Sequence, residues 1–147
     1  MNKIFENIST GAVPLAGRVL LSLIFLSAGW GKIGGWEGTA GYMASVGMPL
    51  VPFFLAGTIA VELLGGLSLL LGIKSRVGAT ALFLFLIPTT LIFHAFWNLE
   101  GQEQYMQSLM FMKNLAIMGG LAMVAAYGSG RFSLDRIPCP FKPRAKK

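Results

Sequence analysis

The sequence predicts an all-α integral membrane protein, a four-helix bundle with its polar groups inside, and two observations support this fold class. Of the 147 residues, 54% are hydrophobic and only 12% are charged, a composition too apolar for a soluble domain of this size. The apolar residues also fall into separate segments at 13–31, 52–72, 77–97 and 109–127. Each is close to the roughly 20 residues that a helix needs to cross a bilayer.

The elements follow in chain order. Arg18 interrupts the first apolar run, so we predict an uncleaved first span and not a signal peptide. The longer loop after it contains a weakly amphipathic stretch at 39–46, which predicts a short helix that either lies on the outer membrane surface or dips in as a lid. The second and third spans are joined only by residues 73–76 and should form an antiparallel hairpin. Pro88 should bend the third span.

The spans define a single transmembrane domain at residues 1–130, followed by a basic, proline-containing tail at 131–147. An even number of spans places both termini on one side, and that side holds most of the cations: Lys3, Lys74, Arg76, Arg131, Arg136, Lys142, Arg144, Lys146 and Lys147. The opposite loops hold Lys32 together with Glu37, Glu100 and Glu103. The positive-inside rule therefore predicts cytoplasmic N and C termini. The net charge of +6 follows from this bias, and no nucleic-acid partner is needed to explain it.

Each span carries an ionisable side chain where hydrocarbon is expected: Arg18, Glu62, His94 and Lys113. A charge at the bilayer centre costs about 2.5–3.5 kcal/mol on insertion scales, so these groups should pair with each other, with water or with a ligand. Helical rise places Glu62 near the midplane. Thr90, His94 and Trp97 are spaced to share one face of the third helix. The predicted ligand-binding or proton-handling residues are Arg18, Lys32, Glu62, His94, Trp97, Asn98, Lys113 and Asn114.

These polar residues have two interpretations. In the first, Glu62 pairs with Arg18 or Lys113, and the set only fixes the helix register. In the second, a carboxylate, an imidazole and a lysine form a pocket, and an anionic or electron-rich ligand balances the excess of cations, such as a quinone carbonyl, a carboxylate or a lipid headgroup. A closed zinc site is not expected, because His94 and Cys139 lie on opposite sides of the membrane. With Cys139 as the single cysteine, a redox role would require an external electron carrier.

Several short motifs in order resemble the DoxX family between Arg18 and Asp135. They are an R-x3-S-x2-F-x3-G-x2-K pattern from Arg18 to Lys32, Gly41 to Ser45, Gly47 to Pro49, Glu62 to Gly66, Leu71-Gly72, His94 to Trp97, Phe111 to Asn114, and Ser133 to Asp135. The resemblance implies a four-helix protein of the bacterial inner membrane. Some relatives are associated with oxidoreductase complexes, including thiosulfate:quinone oxidoreduction, and with thiol or oxidative-stress systems, while others look like assembly factors. It implies no catalytic residues.

The residues and the resemblance together favour a membrane subunit of a redox or oxidative-stress system. It would bind a quinone-like or other small ligand in the polar pocket, while a partner protein supplies the redox centre. Whether the chain is itself catalytic stays open. One alternative is a non-enzymatic scaffold or assembly factor. Another is a small proton-coupled transporter, although the chain has no internal repeat and would need a homo-oligomer to supply the symmetry.

Overall fold

The computed structural model describes residues 7–136, and within them all regular structure is helical. A π-helical turn at Ile8–Ala12 leads into α1 (Val13–Gly34), which is followed by the short α2 (Trp36–Ser45), α3 (Val51–Leu71), α4 (Ser75–Phe93) and α5 (Gly101–Tyr127). Four of these helices, all except α2, are long and apolar enough to cross a membrane. The prediction of an all-α membrane bundle with a short helix after the first span is confirmed. Lys3 and Cys139 lie outside the described residues.

The bundle is built by neighbouring helices in the order α1, α3, α4 and α5, while α1 and α5 touch only sparsely. Phe25, Leu69, Leu82 and Leu121 form the centre of the apolar core. Many large apolar side chains instead face outward, among them Leu20, Leu64, Leu84 and Met112. An apolar exterior is what a protein surrounded by lipid requires, because lipid tails cannot satisfy polar groups.

Two helix boundaries differ by more than three residues from the predicted spans. The helix α4 ends at Phe93, and α5 already begins at Gly101, whereas the spans were predicted to end at 97 and to begin at 109. Hydropathy reports membrane depth and not helicity, so the polar first turns of α5 were missed. The predicted shared face of Thr90, His94 and Trp97 is therefore wrong, because His94 and Trp97 lie beyond the end of the helix.

Residues 128–136, here called the strap, cross the end of the bundle opposite α2. The backbone N–H of Arg131 donates to the carbonyl of Thr10 at 2.8 Å. The carboxylate of Asp135 accepts a hydrogen bond of 2.7 Å from the backbone N–H of Lys74, the residue that precedes α4. An acidic acceptor at this position caps a helix start. The first residues of the predicted tail, 131–136, therefore belong to the packed structure.

Arg18 joins the strap to the bundle. Its side chain is 1% exposed, and its guanidinium donates to the carbonyl of Leu69 at 3.0 Å and to the carbonyl of Phe132. Gly72 makes room for this contact, because a Cβ at that position would lie 2.2 Å from Nη1 of Arg18. Arg18 thus has a structural role at the strap end of the bundle.

The contact of α3 with α4 depends on Gly65, and we expect Gly65→Ala to lower the free energy of unfolding by about 1–3 kcal/mol. The added Cβ would lie 2.6 Å from Cγ of Leu82, a fully buried side chain. Unfolding of the detergent-solubilised protein, followed by circular dichroism, measures the change. Gly57→Ala on the same helix is the control, because a Cβ there meets nothing within 4 Å. Equal stability of the two variants would contradict the expected close packing.

Candidate functional site

A cavity of about 200 Å³ lies at the α2 end of the bundle and is here called the polar cavity. The helices α1, α3 and α4 form its walls and α2 covers it, through the lining residues Lys32, Thr39, Tyr42, Met43, Thr58, Glu62, Phe85, Thr89, Phe93 and His94. Three of the predicted site residues, Lys32, Glu62 and His94, therefore meet in one place. Tyr42 contributes a hydroxyl that donates to the carbonyl of Phe93 at 3.2 Å and so ties α2 to the end of α4.

The ion pair of Lys32 with Glu62 is the centre of the polar cavity. Nζ of Lys32 lies 2.8 Å from both carboxylate oxygens, and the two side chains are 25% and 7% exposed respectively. Glu62 lies about 16 Å along α3 from its first residue, which is near the midpoint of the helix. A carboxylate at that depth needs a cation, and Lys32 supplies it.

The predicted pairing of Glu62 with Arg18 or Lys113 is wrong. Arg18 precedes Lys32 by about 21 Å along α1 and binds carbonyls at the strap end. Gly29 explains why Lys32 is the cation that reaches Glu62. A Cβ at Gly29 would lie 2.9 Å from the side chain of Leu63. The absence of a side chain at Gly29 lets α1 approach α3 closely, one turn from Lys32.

His94 is held by Gln107, a residue that the sequence analysis missed. Its Nδ1 lies 2.9 Å from Oε1 of Gln107, which is on α5. A hydrogen bond that this amide oxygen accepts is donated by Nδ1, which leaves Nε2 available to a ligand. Gln107 lies just before the apolar segment 109–127 and was excluded with the rest of the first turns of α5. Extending the predicted helix by one turn before residue 109 would have included Gln107.

The other predicted site residues lie outside the polar cavity. Asn114 is buried between α4 and α5, where Nδ2 donates to Oγ1 of Thr90 at 3.0 Å. Lys113 points away from the bundle and its Nζ lies 3.1 Å from Sδ of Met110, because successive helical residues are about 100° apart and Asn114 takes the inward position. Trp97 and Asn98 are exposed after the end of α4. The ring of Trp97 makes an edge-to-face contact with the ring of Phe111 and does not line the polar cavity.

A second cavity of about 290 Å³ lies between α3 and α4 and is here called the apolar cavity. It shares Met43, Thr58, Phe85, Thr89 and Phe93 with the polar cavity. Its other walls include Phe53, Phe54 and Ile92, which are exposed on the membrane-facing surface. The two cavities are therefore neighbours that share one wall, and the apolar cavity reaches the lipid-facing surface.

Within residues 7–136, no group of three His, Cys, Asp or Glu side chains is placed to hold a metal ion. The arrangement instead offers an ammonium, a carboxylate and an imidazole beside an apolar path. It can hold a small molecule that has a polar head and an apolar body.

The sequence model of the DoxX family matches residues 13–95. The chain belongs to the DoxX family. The matched region of this DoxX protein contains Lys32, Glu62 and His94, whereas Gln107 and the strap follow it.

The relatives of this DoxX protein include two inner membrane proteins of Escherichia coli. It is 43% identical to YqjF over 125 residues, which cover 84% of this chain and 89% of that protein. It is 31% identical to YphA over 122 residues, which cover 83% and 87%. CatD of Bacillus subtilis, whose name assigns it provisionally to the oxidoreductases, is 39% identical over 88 residues, 59% of this chain and 60% of CatD. No solved structure matches the chain.

The names of the two Escherichia coli relatives and the four apolar helices identify a multi-pass inner membrane protein. The lipid bilayer is therefore its surroundings, and the exposed apolar side chains of the DoxX bundle face it.

Proposed function

We propose that this protein is a membrane subunit of a redox or oxidative-stress system and binds a quinone-like ligand in the polar cavity. The observation that supports this function is the convergence of Lys32, Glu62 and His94 on a cavity that shares a wall with an apolar one. The two volumes, about 200 and 290 Å³, together reach the range of about 300–1,000 Å³ that is typical of small-molecule sites.

The polar groups match the two ends of a quinone-type ring. The ammonium of Lys32 has a third N–H beyond the two oxygens of Glu62 and can donate it to a carbonyl. Nε2 of His94 can accept the hydroxyl that the reduced ligand carries. Reduction of a quinone takes up two electrons and two protons. In this proposal the partner protein supplies the two electrons and water supplies the two protons. Glu62 and Nε2 of His94 each take up a proton and then pass it to the ring.

The redox assignment also draws on the relative CatD, which carries an oxidoreductase name. For the orientation, we propose that the strap end is cytoplasmic, because Lys74, Arg76 and Arg131 lie there. The polar cavity then opens in the half of the bilayer away from the cytoplasm, and a membrane-soluble ligand reaches it through the apolar cavity.

Binding of a short-chain quinone analogue tests the proposal. We expect Glu62→Gln and His94→Phe to raise the dissociation constant at least tenfold, because each removes a group that contacts the ligand. Titration calorimetry on the purified protein in micelles measures it, with size-exclusion profiles as the folding check. Lys113→Gln is the matched control and should bind as the wild type, since Lys113 is ionisable but points outward.

A wild-type protein that binds no quinone analogue, or equal binding by all variants, would overturn the proposal. The second candidate is then a non-enzymatic scaffold or assembly factor. Its support is α5, because only 17% of the residues in its apolar stretch are buried. Much of this helix is therefore open to a partner subunit. Partner proteins that copurify equally with the wild type and with Glu62→Gln would favour that role. We find no observation that favours a proton-coupled transporter.

A further inference from the structure

The bundle is open along one edge, where α1 and α5 touch only sparsely. A groove of about 530 Å³ runs there from Val13 to Leu21 on α1 and from Gly120 to Gly128 at the end of α5. This seam groove is about 12 Å long in the direction of the helices. Gly17 faces open space in it, because a Cβ at that position meets nothing within 4 Å. The walls are almost entirely apolar side chains, such as Leu20 and Met123.

The seam groove meets a second pocket at the strap end. That pocket, about 690 Å³, lies between the start of α1 and the strap, and it shares Pro14, Tyr127 and Gly128 with the groove. Arg131 lines it and is exposed, with one guanidinium nitrogen 2.6 Å from Oδ1 of Asn7. The guanidinium of Arg76 lies over Gly128, where a Cβ would be 3.0 Å from Nε of Arg76. Two arginines therefore flank the mouth of an apolar groove.

We propose that this seam binds one anionic phospholipid, with its phosphate between Arg131 and Arg76 and an acyl chain in the seam groove. The planar guanidinium of an arginine can donate two parallel N–H groups to phosphate oxygens, and cations at the membrane surface attract anionic headgroups. The acyl chain then fills the space that α1 and α5 leave open. A second copy of this chain fits less well, because a two-fold interface would bring the same arginines of both copies to the same seam.

Binding of the phospholipid does not depend on the polar cavity, which lies at the other end of the bundle. The site therefore stands or falls separately from the proposed quinone function. Its effect would be to close the bundle edge and to hold the strap, through Arg131, against the start of α1.

Native mass spectrometry with added lipid tests the proposal. The purified protein is titrated with phosphatidylglycerol and with phosphatidylcholine of the same acyl chains. We expect one phosphatidylglycerol to bind at least tenfold more tightly than phosphatidylcholine. Gly17→Leu should weaken phosphatidylglycerol binding at least tenfold by filling the groove. Gly31→Leu, on the same helix and likewise in open space, should bind as the wild type.

The double variant Arg131→Gln with Arg76→Gln provides a second test of the lipid site. Both side chains are exposed, so the substitutions leave the core unchanged. This double variant should lose the preference for phosphatidylglycerol while still binding lipid. The proposal is overturned if the wild type shows no preference, or if Gly17→Leu and Gly31→Leu bind equally. A dimer that Gly17→Leu dissociates would also overturn it, in favour of a second copy. Should Gly17→Leu not fold, an unchanged preference in the arginine double variant is decisive against the site.

Discussion

We expect Lys32→Met to lower the free energy of unfolding by about 3–5 kcal/mol, because it leaves a carboxylate buried without its cation. Glu62→Gln should cost less, although it breaks the same pair. Glu62 is 7% exposed and lies deep in α3, whereas Lys32 is 25% exposed. A lysine freed from its partner can extend its stem and carry the ammonium toward the membrane surface. The shorter side chain of Glu62 cannot carry its carboxylate to the membrane surface in the same way.

Chemical unfolding in detergent micelles measures this asymmetry. The double variant Lys32→Met with Glu62→Gln should recover most of the stability that Lys32→Met loses, since no uncompensated charge is left. Lys113→Met is the control and should leave stability nearly unchanged, because Lys113 lies on the exterior. Equal losses for the two single variants would show that the depth of Glu62 does not matter.

The second large effect is expected for Arg18→Met, which removes the link between the bundle and the strap. Hydrogen bonds from a charged donor contribute about 1.5–3 kcal/mol each, and we expect a net loss of roughly 2–4 kcal/mol. In this variant the carbonyl of Leu69 still accepts a hydrogen bond from the N–H of Gly72. The loss of stability should therefore be greatest in the strap. Hydrogen exchange at residues 128–136 should therefore rise more than exchange in α3.

Lys113→Met serves as the control, because Lys113 is also a cation on a spanning helix but is exposed and lies away from the strap. It should leave exchange in the strap close to the wild-type level. Strap residues that stay as protected in Arg18→Met as in the wild type would mean that Asp135 and Arg131 alone hold the strap in place.

Much of the fold could be predicted from the sequence because a bilayer imposes few solutions. Apolar segments of spanning length must be helices, and short connections such as 73–76 must join neighbours. The same reasoning failed between residues 93 and 109. There the start of α5 is polar, and a scale that measures depth cannot mark where a polar helix begins.

The candidate site was predicted in part. Spacing along one helix places Glu62 and Lys32 at compatible depths, but it does not determine which helix faces which. The pairing was decided by the close approach at Gly29, a property of two helices together. For Lys113 and Asn114, adjacent and both polar, only packing determined that Asn114 faces Thr90 and Lys113 faces out. Gln107 was missed for the same reason as the start of α5.

The link from Arg18 to the strap has a consequence for how the protein is made. The two partners, Arg18 and Phe132, are 114 positions apart in the chain, and a ribosome makes Arg18 first. While the first span enters the membrane, neither carbonyl that Arg18 will bind exists yet, since Leu69 follows in the next span and Phe132 comes after the last one. The guanidinium nitrogen that binds Phe132 must therefore be kept hydrated, or held at the membrane surface, until the residues after the last span have been translated. Assembly of this bundle thus ends with a step at the strap, and insertion of the helices one by one cannot complete it.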